Sequence, residues 1–157
     1  MQNNKEAYAE LLNKLSEFLG FELSYEDDSC SLYLDNMDIS FTIRKYEDEG
    51  RIVLMGVIAE ELPDEISFSL IEEFLDSALN PLYKAGPTIA RDFQSEMIVA
   101  YVSVDIKDIE PDDFPKIVEQ FIDFQVYYTE RLRGDVSDAQ SDVQKESEIL
   151  DAIMNKA

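Results

Sequence analysis

The sequence predicts an α+β domain with its elements in the order α-β-β-β-α-β-β-α, a twisted and mainly antiparallel sheet with helices packed on it. Three features carry that expectation. Three stretches repeat apolar residues at spacings of three and four, as amphipathic helices do. The stretches between them alternate apolar and polar residues or run almost entirely apolar, as strands do. Gly, Pro, Asn and Asp punctuate the boundaries.

The first helix is expected over residues 4–19, where Tyr8, Leu11, Leu12, Leu15, Phe18 and Leu19 form one stripe and Gly20 follows as a stop. Strands follow. Residues 30–35 are apolar at alternate positions, and Asp35-Asn36 suits a turn. Over 38–45, Ile39, Phe41 and Ile43 alternate with Ser40, Thr42 and Arg44, as a half-buried strand requires. Residues 46–50 read as a second turn. The run RIVLMGVIA at 51–59 is apolar on both faces, so this strand is expected to be central and covered on both sides. Short links between the three imply an antiparallel meander. Gly56 within the third strand marks a bulge or a close backbone approach.

Pro63-Asp64-Glu65 is expected to open the second helix, with acids where the helix dipole favours them. Its stripe is Ile66, Leu70, Ile71, Phe74, Leu75, Ala78 and Leu79, with Phe68 off it and Asn80-Pro81 as its end. A short strand fits 88–91, and MIVAYVSV at 97–104 is a second nearly all-apolar strand. Pro111-Asp112-Asp113 introduces a long third helix. Its stripe is Phe114, Ile117, Val118, Phe121, Ile122, Gln125 (the one polar member), Tyr128 and Leu132, and Gly134 is its expected stop. The expected division is a domain at 1–133 and a polar tail at 134–157, either a small helix ending in Ile149, Leu150, Ile153 and Met154 or a disordered segment.

Composition bounds the chemistry. The chain has 157 residues, 13 Lys plus Arg against 35 Asp plus Glu, and a formal charge of −22. That charge disfavours nucleic acid and anionic lipid, which offer no counterion-release gain to an acidic surface. No apolar run is long enough for a membrane span, and no secretory signal is visible at the N-terminus. One Cys fits a reducing compartment. With no His, triad chemistry, an imidazole base and His-ligated zinc are excluded.

No catalytic, cofactor or metal site is expected. The acids at Asp27-Asp28, Glu47-Asp48-Glu49, Glu60-Glu61 and Asp112-Asp113 fall at turns or element ends, and nothing selects one to be held in an apolar pocket with a raised pKa. No segment has the ligand spacing of a calcium loop, and the five glycines form no phosphate loop. Cys30 leads an apolar strand among Glu26, Asp27, Asp28 and Asp35, which would raise its pKa, so it reads as a small hydrophobe. The more informative feature is an excess of apolar faces. Either a compact monomer buries them all, or one helix and part of the sheet are covered by self-association while another strip binds a peptide.

These patterns resemble the class I type III secretion chaperones, the Tir-chaperone family. The residues that carry the resemblance are Leu19-Gly20, Cys30-Ser31-Leu32, Leu54-Met55-Gly56-Val57-Ile58 with Leu62-Pro63, Ser77-Ala78-Leu79-Asn80, Gly86-Pro87-Thr88-Ile89 with Asp92, and Tyr127-Tyr128. The resemblance covers residues about 5–133. Tyr stands here where the family often has Trp near the end of the last helix, and the tail has no clear counterpart.

The resemblance implies a homodimeric, non-enzymatic, cytoplasmic bacterial protein. It would bind the N-terminal segment of a secreted effector in extended form and deliver it to the secretion apparatus, including its ATPase or sorting components. It implies effector contacts at Leu11, Leu12, Leu15, Phe18, Leu32, Leu34, Ile39 and Phe41, some of which must face the core instead. It implies a dimer interface at Ile71, Phe74, Leu75, Ala78 and Ile89. The alternative is a regulatory or adaptor domain of the same fold, like the sensory-regulator family, binding a folded partner. A carboxylate-based hydrolase or metal enzyme is the remaining reading, and the lack of His disfavours it.

Overall fold

The computed structural model describes residues 4–26 and 28–154, and the side chains within them except at 47, 137, 139–143 and 146. Asp27 of the Asp27-Asp28 pair, the first three residues and the last three of the tail lie outside it. The elements are α1 (Asn4–Leu19), β1 (Ser29–Leu34), β2 (Ile39–Tyr46), β3 (Arg51–Ala59), α2 (Phe68–Ser77), α3 (Asn80–Tyr83), β4 (Thr88–Arg91), β5 (Ile98–Asp105) and α4 (Phe114–Met154). The α+β class and the order of the main elements are as the sequence predicts.

α1 buries Tyr8, Leu11, Leu12 and Leu15. It stops where Gly20 takes a positive φ of 78° and donates its N–H to the Ser16 carbonyl at 2.9 Å. The β1-β2-β3 meander then continues into one five-stranded sheet of order β1-β2-β3-β5-β4, every neighbouring pair antiparallel. Register places Leu32 opposite Phe41 and Phe41 opposite Gly56, so one face collects the alternate apolar residues. α1 and α4 cover that face, with Phe41 and Phe121 edge to face at 5.6 Å between ring centroids.

β3 is central, as expected, but only one of its faces is covered. Ile52, Leu54, Gly56 and Ile58 are buried, whereas Met55 and Val57 are 42% and 40% exposed. α1 and α4 pack on the same side of the sheet, so Met55 and Val57 on the opposite face stay open, although Val99, the partner of Val57, is buried. Gly56 sits under α4, where a Cβ would overlap the Gln125 carboxamide. Gln125 is fully buried and donates to the Ser40 carbonyl at 2.9 Å and the Val57 carbonyl at 3.2 Å. The one polar member of the helix stripe thus ties α4 to the backbone of β2 and β3, and the glycine makes room for it. A register shift between Val57 and Ala59 follows immediately.

Two boundaries differ from expectation. α2 begins after Ser67 rather than at Pro63, because Ser67 is extended and its Oγ accepts the Leu70 N–H at 3.2 Å. Asn80-Pro81 does not simply end the helical region. The proline occupies the first turn of α3, where its missing N–H costs nothing. The larger correction is at Gly134, where α4 does not stop. It continues to Met154, 41 residues in all. An interior glycine costs a helix only about 0.5–1 kcal/mol. Here the Arg131–Asp135 ion pair at 3.7 Å spans Gly134, and Asp135 accepts the Ser67 N–H at 2.7 Å.

Candidate functional site

Residues able to do covalent chemistry are built into the fold. Cys30 is buried with its thiol 3.7 Å from the Ser24 carbonyl, and burial pushes its pKa up, so the direction is as expected while desolvation is the cause. Tyr8 donates to the Ile43 carbonyl at 3.2 Å, and its hydroxyl is held well above the ordinary phenol range by burial first and the nearby Cys30 and Asp28 second. Lys45 is buried with its ammonium 3.1 Å from Asp28 and above the Tyr8 ring. Among the described residues no group of three or more His, Cys, Asp or Glu side chains is placed to hold a metal ion.

Two of the apolar surfaces that the described residues present bear on partner binding. The first lies at the β1 edge of the sheet. Among the described residues, β1 meets no further strand on its outer side beyond the Glu26–Ser29 bridge. The 21–24 segment runs beside it and leaves a groove of about 170 Å³ of mixed character, lined by Phe21, Glu22, Leu23, Ser24, Ser31, Leu32 and Tyr33. Phe21 at 52% and Tyr33 at 60% exposure line this groove, and Phe18, 58% exposed near the end of α1, precedes Phe21 by three residues. The opposite edge is closed. The Ile89 N–H of β4 donates to Ser77 Oγ at 3.0 Å, and Asn80 Nδ2 donates to the Pro87 carbonyl at 2.8 Å. The turn between α2 and α3 therefore occupies the edge that a further strand would need.

The second surface is the outer side of α2 and α3. α2 is apolar on two sides. Leu70 is buried and Phe74 packs edge to face on Tyr128 of α4, at 5.7 Å between centroids. Phe68, Leu75, Leu79 and Leu82 recur at helical spacing on the outside and stay open to solvent, as does Tyr83. An exposed row of this size is unusual for a surface that never meets a partner.

The effector-contact residues implied by the resemblance divide sharply. Leu11, Leu12, Leu15, Leu32, Ile39 and Phe41 are buried in the protomer's own core, Leu34 is half-buried, and Phe18 alone is open. Of the implied interface set, Leu75 and Ala78 are exposed, Ile71 and Phe74 are half-buried, and Ile89 is buried. Sequence reasoning missed Phe21 and Tyr33; of the exposed row it named Leu75 for the interface and Leu79 for the stripe, but not Phe68 or Leu82. Tyr33 was legible as the residue facing away from Leu32 and Leu34. Phe21 lies in a segment with no periodicity and gave no signal.

A model of the Tir chaperone protein (CesT) family matches residues 10–127 of this chain. No curated protein matches it. Among solved structures, the chain is similar to one in the HopA1–SchA chaperone–effector complex at 25% identity and a TM-score of 0.66, over 79% of this chain and 94% of that one. It shares its fold with a chain of the ExsC–ExsE complex, at 14% identity and a TM-score of 0.63, over 83% of this chain and 96% of that one. It also shares it with a chain of the heterodimeric ExoU–SpcU complex from the type III secretion system of Pseudomonas aeruginosa, at 14% identity and a TM-score of 0.60, over 77% and 96%.

Proposed function

The chain belongs to the Tir chaperone protein (CesT) family, and from that premise we propose that it is a non-enzymatic type III secretion chaperone that holds the N-terminal segment of a secreted effector in extended form and delivers it to the secretion apparatus. One observation carries the placement of cargo: among the described residues the β1 edge meets no further strand and is flanked by exposed aromatics, while the ends of α2 and α3 hold the Ile89 N–H and the Pro87 carbonyl at the β4 edge. An extended segment pairing with β1 would gain backbone hydrogen bonds, and Phe18, Phe21 and Tyr33 would grip alternate side chains. Cargo held this way cannot collapse on itself. The outer row of α2 and α3 is the homodimer seam in this reading, with Leu75 and Ala78 at its centre. The protein works in the bacterial cytoplasm, and the loaded complex docks on the secretion ATPase or its sorting partners.

The test is a paired substitution at the open edge, Phe18→Asp with Tyr33→Asp, assayed against the first hundred or so residues of a co-purifying secreted protein. Both side chains are exposed, so melting should be little changed while binding weakens about tenfold or more. Amide exchange should slow at residues 31–34 when cargo is bound. Full affinity in the variant, or unprotected β1 amides in the complex, removes this placement. A partner that binds only through a folded domain would favour the adaptor reading.

A further inference from the structure

We propose that the half of β5 left bare by β4 is a docking notch for a short extended peptide segment of a partner chain, apolar at alternate residues. The site lies apart from the β1 edge, and neither placement depends on the other. β5 has eight residues and β4 four, and their pairing stops at Thr88 opposite Tyr101. Register fixes where the remaining hydrogen bonds point. Ile89 turns its N–H outward to Ser77 Oγ at 3.0 Å, while Asp92, just past β4, donates to the Met97 carbonyl at 2.9 Å. The even-numbered residues on this side therefore face β5 and bond its odd-numbered residues. On the other side of β5 the Ile106 N–H reaches the Gly50 carbonyl at 2.9 Å, in keeping with even-numbered residues bonding toward β3. Ser103 thus directs both its N–H and its C=O away from β3. Its partner in register would be Gly86, but the Gly86 N–H points to the Asn80 carbonyl at 3.4 Å, and Ala85 swings the chain off the edge with a φ of 48°. Among the described residues no donor or acceptor meets either backbone group of Ser103. The turn between α2 and α3 closes the edge along β4 and leaves this stretch of β5 open.

The bare stretch opens on a cavity of about 460 Å³. Val102 and Val104, on the α4 side of β5, line it together with Ile109 and with Ile117 of α4. A residue pairing opposite Ser103 would send the side chains of its two neighbours to that apolar wall, because side chains alternate along a strand. Charge does not select the occupant. Arg51 is paired with Asp105 at 3.6 Å, and Lys84 and Asp108 add one charge of each sign to the lining. What the site lacks is a backbone. An N–H and a C=O side by side on an open strand are met together by another extended chain, whereas a helix has spent its own backbone groups internally. Length narrows the choice further. Between the Tyr101 bridge and the 3-10 turn at Ile106–Asp108 the bare stretch is about 13 Å long, which admits a short segment rather than the six-residue β1 of a second copy.

The experiment follows amide exchange by NMR on the full chain, with an uncharged probe peptide, acetyl-Thr-Val-Thr-Val-Thr-amide. Its middle Thr can pair with Ser103 while both Val side chains reach the cavity. In the free protein the Ser103 amide should exchange about tenfold or more faster than those of Val102 and Val104, which bond β3. The probe should slow Ser103 saturably, by about tenfold or more. The same peptide N-methylated at its middle Thr loses the donor and should leave Ser103 unchanged, as should one with Asp for both Val. Gln120 is exposed on α4 and lines the cavity, so Gln120→Trp should weaken the probe about tenfold or more with the melt unchanged. Ser103 as slow as its neighbours in the free protein overturns the proposal, and protection that rises with protein concentration does so by giving the edge to a second copy. Equal binding of the N-methylated peptide, slowing confined to residues 31–34 of β1, or an unchanged affinity in Gln120→Trp overturns it as well.

Discussion

The tightest constraint at the scale of single residues is the pair formed by Gly56 and Gln125. A methyl group at residue 56 would meet the carboxamide that bonds the Ser40 and Val57 carbonyls. Gly56→Ala should therefore cost about 1–3 kcal/mol in urea unfolding, and Gln125→Ala in that background should return part of it, a coupling that a double-mutant cycle reads directly. A glycine in an apolar strand signalled a close approach in the sequence, and a lone Gln in a helix stripe was visible too. That the two meet was not, because they are 69 residues apart and only register and helix placement bring them together. Asp135 contributes a pH dependence of its own. Burial opposes its ionisation, but hydrogen bonds from Ser67 and the Arg131 charge outweigh this and hold its pKa below the ordinary carboxylate value. A carboxyl depressed in the folded state stabilises above its unfolded pKa, and that stability is lost as pH falls from about 4 through the folded value. Thermal melts should show wild type losing more than Asp135→Asn over that window, and the gap between them closing; parallel losses would leave Asp135 without this role.

Elements are decided by their ends and by what lies on either side of them. Ser67→Ala removes the Oγ that caps α2 and should cost about 0.5–2 kcal/mol by chemical denaturation. Acids at Pro63-Asp64-Glu65 looked like a helix start, yet a side chain positioned to accept the Leu70 N–H outweighs a favourable dipole. α2 also shows why a stripe alone does not name an interface. Phe74 is largely spent on Tyr128, whereas Leu75 one position on is 68% exposed. Leu75→Asp is then the cleaner probe of the proposed homodimer seam. It should convert dimer to monomer on light scattering with little loss of protomer stability, and an unchanged dimer would move the seam elsewhere. α4 illustrates the converse error. Gly134 read as a stop, but an ion pair across it and a contact to α2 carry the helix through.

At the scale of the whole molecule, the charge of −22 lies on turns, element ends and polar faces, leaving apolar strips at the β1 edge, on α2 and α3, and along the end of α4. Such a surface keeps a protein with adhesive strips soluble between partners. It also predicts that cargo with basic residues beside its apolar anchors binds more weakly as salt rises; titration of one cargo segment across ionic strengths checks this, and an affinity indifferent to salt would confine the charge to solubility. The class of fold, the element order and most strand limits were determined by the sequence itself, because periodicity and turn chemistry are local and the chain obeys them nearly everywhere. Which apolar residues are core and which are surface was decided only by tertiary structure. Leu11, Leu12 and Leu15 share a stripe with Phe18, yet the first three are buried and the last is open. Periodicity reports that a face is apolar, but what covers it depends on elements distant in sequence: two helices packed on one side of the sheet, a helical turn closing one edge, and a long helix that outruns the domain.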